Sequence, residues 1–219
     1  DPDTGIRRIE GRGGNDVADI VSEADNGETT QELVFDGGEG FDLADIGQNE
    51  GAFRFAPGGN AILGPVADLA AGTVFTDEPF FGEDGLARLI AVEGVLGSPG
   101  LDVLLGDGQD NLFTGREERD QIDGRGGDDT VDYSRERGDG GVIVELAIGA
   151  GLSRPDGGAL DIARLDNAID TFGNLESLWS VENVIGSAND DSLDGSDGAN
   201  RLAGGDGNDT LTGGEGDDT

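Results

Sequence analysis

Aspartate and asparagine recur at a fixed interval in this chain, each preceded by a glycine-rich turn. The closing run GGDGNDTLTGGEGDDT, Gly204 to Thr219, is almost two copies of a nine-residue unit, G-G-x-G-x-D-x-U-x, where U is a large apolar residue. First-place glycines fall at Gly186, Gly195, Gly204 and Gly213, and Gly207 and Gly216 hold the fourth places of the last two units. The sixth places are Asp191, Asn200, Asp209 and Asp218; the eighth are Leu193, Leu202 and Leu211. An earlier array keeps the same phase. Its first places are Gly97, Gly106, Gly115 and Gly124, its sixth Asp102, Asn111, Asp120 and Asp129, and its eighth Leu104, Phe113, Ile122 and Val131. These units offer only oxygen: side-chain carboxylates and amides, and carbonyls that glycine allows a tight turn to point inward. An oxygen-only donor set suits a hard divalent cation.

Most other chemistry is excluded by residue type. Histidine, cysteine and methionine are absent, and all 13 basic residues are arginine. Disulfides, thiolate sites and thiol catalysis are therefore ruled out. So are Ser–His–Asp triads, histidine zinc sites and the lysine of a phosphate-binding P-loop. A run at Asp190–Gly195 resembles the start of an EF-hand, but its twelfth place is Arg201 rather than the bidentate glutamate that loop requires. Paired carboxylates of the glycosidase kind are compatible with the composition. The regularly spaced aspartates are already accounted for as cation ligands, and the chain is read as holding no catalytic constellation.

The 219 residues carry 48 acidic side chains against 13 basic ones, a net charge of −35. Such a chain repels nucleic acid and anionic membrane surfaces, and no apolar run approaches the length of a membrane span. Apolar residues make up only 34%, with 42 glycines; composition alone would fit disorder. One Leu or Val per nine residues contributes about 1.5–3 kcal/mol on burial. Ordering the backbone costs about 1–2 kcal/mol per residue. Coils of this unit therefore do not close on hydrophobicity alone. Starting at Asp1 and stopping at Thr219, one place before the next apolar position, the chain reads as a fragment of a longer protein.

The elements that must position these residues are themselves repeated. The two arrays are offset by 89 residues, and VEGVLGS before one matches VENVIGS before the other. Motif turns also occur in GRGGNDVADIV (11–21) and GGEGFDLADIG (37–47), which resemble GRGGDDTVDYS (124–134). Asp16 and Asp42 are candidate ligands there; neither has an in-phase partner two units away, so a partner turn would come from a non-repeat segment. Asp19, Asp45 and Asp132, in the ninth place, are read as solvated or capping residues. The expected organisation is a lead-in with a partial repeat (1–35), a first module (36–130) and a second (131–219). In the non-repeat stretches, AFRFA (52–56) and GVIVELAIG (141–149) alternate like strands. Leu86, Leu89, Val92 and Val95, and likewise Leu175, Leu178, Val181 and Val184, are spaced by three, as on a solenoid rung or a short helical turn. Trp179 and Phe80–Phe81 are expected to cap the apolar interior.

The nonapeptide resembles the RTX, or haemolysin-type calcium-binding, repeat of proteins exported by Gram-negative bacteria. The resemblance is full in the second array and degenerate in the first, where Gln109, Arg116 and Glu118 replace glycines. It implies an all-β chain of parallel β-roll or β-solenoid blocks with interspersed strand-containing linking segments. It also implies calcium as the ligand (about four or more ions), type I secretion, and an extracellular or cell-surface location. With two units per coil, unit n stacks on unit n+2. The expected ion pairs are Asp102 with Asp120, Asn111 with Asp129, Asp191 with Asp209, and Asn200 with Asp218. The better turns of the second array should bind more tightly, with Asp218 weakened by the incomplete last coil. Folding and ion binding would then be one event. The function expected is a structural or adhesive extracellular module; the alternative is an accessory region of a secreted hydrolase or polysaccharide-modifying enzyme. Partners would be calcium, neighbouring RTX modules or cell-surface polysaccharide, with no nucleic acid and no membrane insertion.

Overall fold

A computed structural model describes residues 6–20, 32–47, 63–75, 87–149 and 167–219. In chain order its strands are β1 (Ile6–Glu10), β2 (Val17–Asp19), β3 (Glu32–Asp36), β4 (Leu43–Asp45), β5 (Leu63–Asp68), β6 (Thr73–Phe75), β7 (Ala87–Ile90), β8 (Gly94–Leu96), β9 (Leu101–Leu105) and β10 (Leu112–Thr114). They continue with β11 (Gln121–Asp123), β12 (Thr130–Asp132), β13 (Ile143–Glu145), the one-turn helix α1 (Leu146–Gly149), β14 (Ala168–Ile169), β15 (Leu175–Trp179), β16 (Asn183–Ile185), β17 (Ser192–Asp194), β18 (Arg201–Ala203) and β19 (Thr210–Thr212). Most are three residues long because the nonapeptide leaves only x-U-x between turns.

Alternate strands feed two facing sheets, so the chain winds as a parallel solenoid. One sheet has seven strands in the order β18-β16-β12-β10-β8-β4-β2. The other has twelve, β1-β3-β7-β6-β5-β9-β11-β15-β14-β13-β17-β19. The difference arises from two inserted pairs. β6 and β5 lie between β7 and β9, and β14 and β13 lie between β15 and β17 at the corresponding place. In each insertion the strand beside β7 or β15 runs antiparallel and the next restores the parallel direction.

Register follows the eighth-place residues. Leu104 lies opposite Ile122, Phe113 opposite Val131, Leu193 opposite Leu211, and Val184 opposite both Val131 and Leu202. These residues and their counterparts form one cluster between the sheets, including Phe35, Val95, Leu104, Phe113, Ile122, Val131, Leu178 and Leu193. Cross-strand stacking keeps one apolar side chain per short strand inside. Parallel strands place it above an identical position in the next coil.

One alternative left open for the non-repeat stretches is decided, and two expectations are changed. The spacing of three before each array is a pair of rungs, β7–β8 and β15–β16, with no helical turn; a sharp bend at Ala91 and Ser180, both at φ +48°, carries one rung into the next. GVIVELAIG is a strand only over 143–145, after which the chain turns through α1. Trp179 is buried but lies outside the interior cluster, because Leu178 takes the inward position and its neighbour faces the other side of the sheet. The 52–56 strand, Leu86 and Phe80–Phe81 lie outside the described residues.

Candidate metal centre

The six-residue turns stack in two columns along the solenoid edges. In one column, turns 11–16, 37–42, 106–111, 124–129 and 195–200 lead from the larger sheet to the smaller, and 213–218 stacks on the last of them. In the other, 97–102, 115–120, 186–191 and 204–209 lead back. Within each expected pair the two sixth-place residues are joined directly. The amide of Asp102 donates to Asp120 Oδ1 (2.8 Å), Asn111 to Asp129 Oδ1 (2.8 Å), Asp191 to Asp209 Oδ1 (3.0 Å) and Asn200 to Asp218 Oδ1 (3.0 Å). Asp16 and Asp42 do have stacked partners, contrary to the expectation from phase. The Asp16 amide donates to Asp42 Oδ1 at 2.7 Å, and the Asp42 amide donates to Glu93 Oε2 at 2.7 Å. Phase fails here because the stacked positions are 26 and 51 residues apart in sequence, where the arrays use 18.

The turns are of two kinds, and each expected pair joins one of each. In turns starting at Gly97, Gly106, Gly186 and Gly195 the second place is serine or aspartate, and its amide donates to the turn's own sixth residue. Ser98 reaches Asp102 Oδ2 at 2.6 Å, Asp107 reaches Asn111 at 2.9 Å, Ser187 reaches Asp191 Oδ2 at 2.7 Å and Ser196 reaches Asn200 at 2.7 Å. The hydroxyls of Ser98 and Ser187 donate to the same carboxylates. These sixth residues are thus engaged in holding their own turns.

The other turns place their second and fourth residues in the left-handed region. Gly205, Gly207, Gly214 and Gly216 do so at φ +98°, +123°, +100° and +124°. Arg116 (+81°) and Glu118 (+65°) do so where glycine is missing, so the degenerate turn keeps its shape at a conformational cost. Asp16 Oδ2, Asp42 Oδ2, Asp120 Oδ2 and Asp129 Oδ2 are buried there with no hydrogen-bond partner. Carbonyl oxygens crowd the same positions: a Cβ on Gly11 would strike the carbonyl of Gly37 and Asp16 Oδ2 together, and one on Gly37 would strike those of Ala91 and Asp42. Glycine at the first place is therefore required by the close approach of oxygen.

The arginines that replace second-place glycines have found other work. Arg116 pairs with both oxygens of Asp45 at 3.0 and 2.9 Å, and Arg125 with both of Asp68 at 2.8 and 2.9 Å. Burial acts to raise the Asp68 carboxyl, but its bonds to Arg125 and to nearby amides leave it below the usual carboxylate range. Asp45 and Asp132 accept bonds from the amides of Gly47 and Ser134, the capping role expected for them.

Glu93, Glu182 and Glu176 were missed by sequence reasoning. Glu93 and Glu182 stand in the aspartate column: Glu182 Oε2 accepts from the Asp129 amide at 3.0 Å, just as Glu93 does from Asp42. Both fall in nine-residue phase with the arrays, in the quoted VEGVLGS and VENVIGS, so the signal was present but the residue type masked it. Their turns are only 91–93 and 180–182, and glutamate's extra methylene spans the shortfall.

This oxygen-rich surface is electrostatically costly. Burial, and then the neighbouring Asp102 and Glu176 charges, push the Asp120 carboxyl well up. Burial likewise raises Asp102 and Glu176, and raises Asp129 and Glu136 to about 7. Among the described residues no three acidic side chains converge into an all-side-chain cage; the donors are carboxylate pairs beside carbonyls. Unspent buried carboxylate oxygens in an all-oxygen setting fit a hard dication, and calcium's large, flexible coordination shell accepts mixed carboxylate and carbonyl donors.

Comparison with known families identifies the RTX calcium-binding nonapeptide repeat, in four copies, over residues 96–132 and 185–219. No curated protein matches the chain.

Proposed function

Because the chain carries RTX calcium-binding repeats on a parallel β-roll, we propose that it is the calcium-folded region of a secreted bacterial protein, acting outside the cell as a structural or adhesive module. The observation that carries this reading is the set of buried, unpartnered oxygens on Asp16, Asp42, Asp120 and Asp129. The residues that would hold calcium are Asp102 with Asp120, Asn111 with Asp129, Asp191 with Asp209, Asn200 with Asp218, and Asp16 with Asp42. Bound there, calcium supplies the positive charge that a chain with 48 acidic and 13 basic residues lacks. Two modules, 36–130 and 131–219, are proposed as the repeating units, the solenoid running through both. The second array is proposed to bind more tightly, since glycine holds its left-handed positions without strain.

Native mass spectrometry of the calcium-saturated chain tests the reading: about four or more ions are expected, and none bound would contradict it. Equal occupancy of both arrays through a titration would contradict their ranking. An adhesive role predicts retention of the folded chain on bacterial cell surfaces in calcium and its release by chelator.

A further inference from the structure

At the turn 115–120 the column of carbonyls is interrupted. At the other first glycines of the arrays that have a further coil stacked on them a Cβ would meet a carbonyl of that coil: Gly115 for Gly97, Gly124 for Gly106, Ser180 for Gly124, Gly204 for Gly186 and Gly213 for Gly195; in the two last turns Gly204 and Gly213 meet only their own Asp209 and Asp218. On Gly115 it would instead meet two carboxylate oxygens, Asp120 Oδ2 and Glu176 Oε1. Glu176 comes from β15, outside the nonapeptide pattern. Neither oxygen has a hydrogen-bond partner, and both side chains are fully buried. The other Glu176 oxygen, Oε2, accepts a hydrogen bond from the Tyr133 hydroxyl, which fixes the rotamer and aims Oε1 at the turn. Glu136 lies over the same turn, accepting from the Arg116 amide and from Thr171, and its Oε1 is also buried and unpartnered. The Arg116 guanidinium is committed to Asp45.

Two unpartnered carboxylate oxygens, Asp120 Oδ2 and Glu176 Oε1, therefore meet at the junction of the first array and the second inserted pair, with the Glu136 charge close enough to act on both. We propose that Asp120 and Glu176, with Glu136 contributing charge nearby, form a further calcium-class cation site, one that ends the first array and fastens β15 onto it. The site rests on the calcium reading above but uses a glutamate that no repeat supplies. The first module has no counterpart, since Ala87 occupies the place that Glu176 holds in the second.

The chain holds a single tyrosine and a single tryptophan, which provides a local probe. In a Trp179→Phe background Tyr133 is the only efficient sensitiser of terbium emission, and energy transfer falls steeply with distance. Terbium added to this full chain is expected to show tyrosine-sensitised emission, and Glu176→Gln is expected to diminish it. Native mass spectrometry should then count one calcium ion fewer in Glu176→Gln than in the parent. Unchanged emission and ion count in Glu176→Gln would overturn the proposal and leave a proton shared between the two carboxyls. So would terbium binding without any tyrosine-sensitised emission in the parent, a result that stands even if Glu176→Gln does not fold. Absence of all terbium and calcium binding would instead contradict the calcium reading as a whole.

Discussion

At Asp42, Asp120 and Asp129 one carboxylate oxygen stacks on a neighbouring coil and the other has nothing to bond to, whereas Asp102 uses both on its own turn and Asp191 accepts from its own turn and from the Val142 amide. The two groups should respond differently to mutation. Asp129→Asn leaves its site with no formal charge and is expected to weaken calcium binding there by about tenfold or more, read by calorimetric titration. Ser98→Ala removes the hydroxyl between Asp102 and Gly100 and is expected to cost about 1 kcal/mol in denaturant unfolding while the ion count stays the same. A pH effect follows from the same burial. Asp129 and Glu136 have folded-state values of about 7, above the ordinary 3.8 and 4.5. Their contribution favours the fold when they are protonated and is lost as pH rises through about 7. In chelator, the chain should therefore gain β-structure by far-UV circular dichroism as pH falls from about 8 to 5; in saturating calcium, acid should instead release the ions. The stacking of the sixth-place residues was legible because phase alone marks it. Glu93 and Glu182 share that phase but not the residue type, and Glu176 has neither, so only the fold could bring it to Asp120.

The x-U-x strands are short, regular and dictated by phase, so their pairing two units apart could be read directly, as Leu104 on Ile122 and Leu193 on Leu211 show. The inserted pairs could not. β5–β6 and β13–β14 occupy matching places in the sheet, yet their sequences do not share the 89-residue register. The first insertion is tied to the solenoid by an arginine at the second place of a turn. Arg125, at φ +66°, accepts an unfavourable backbone conformation and gains a two-pronged bond to Asp68 at the end of β5. Arg125→Gly relieves the backbone and frees the insertion. Hydrogen exchange over 63–75 is expected to accelerate while protection of β9–β12 is retained; unchanged exchange over 63–75 would show that the ion pair does not hold the insertion.

Across the whole molecule, two sheets enclose a single file of apolar side chains, and the edges are lined with carboxylates and carbonyls. The interior is narrow because each coil contributes one residue per strand, and a net charge of −35 opposes compaction. We accordingly propose that calcium is part of the fold, its binding free energy counting as folding free energy. Far-UV circular dichroism of the chain at neutral pH, taken first in excess chelator and then through a calcium titration to millimolar concentration, tests this most directly. Little ordered structure in chelator and a cooperative gain of β-signal with calcium are predicted; a fully folded spectrum in chelator, unchanged by calcium, would contradict the account.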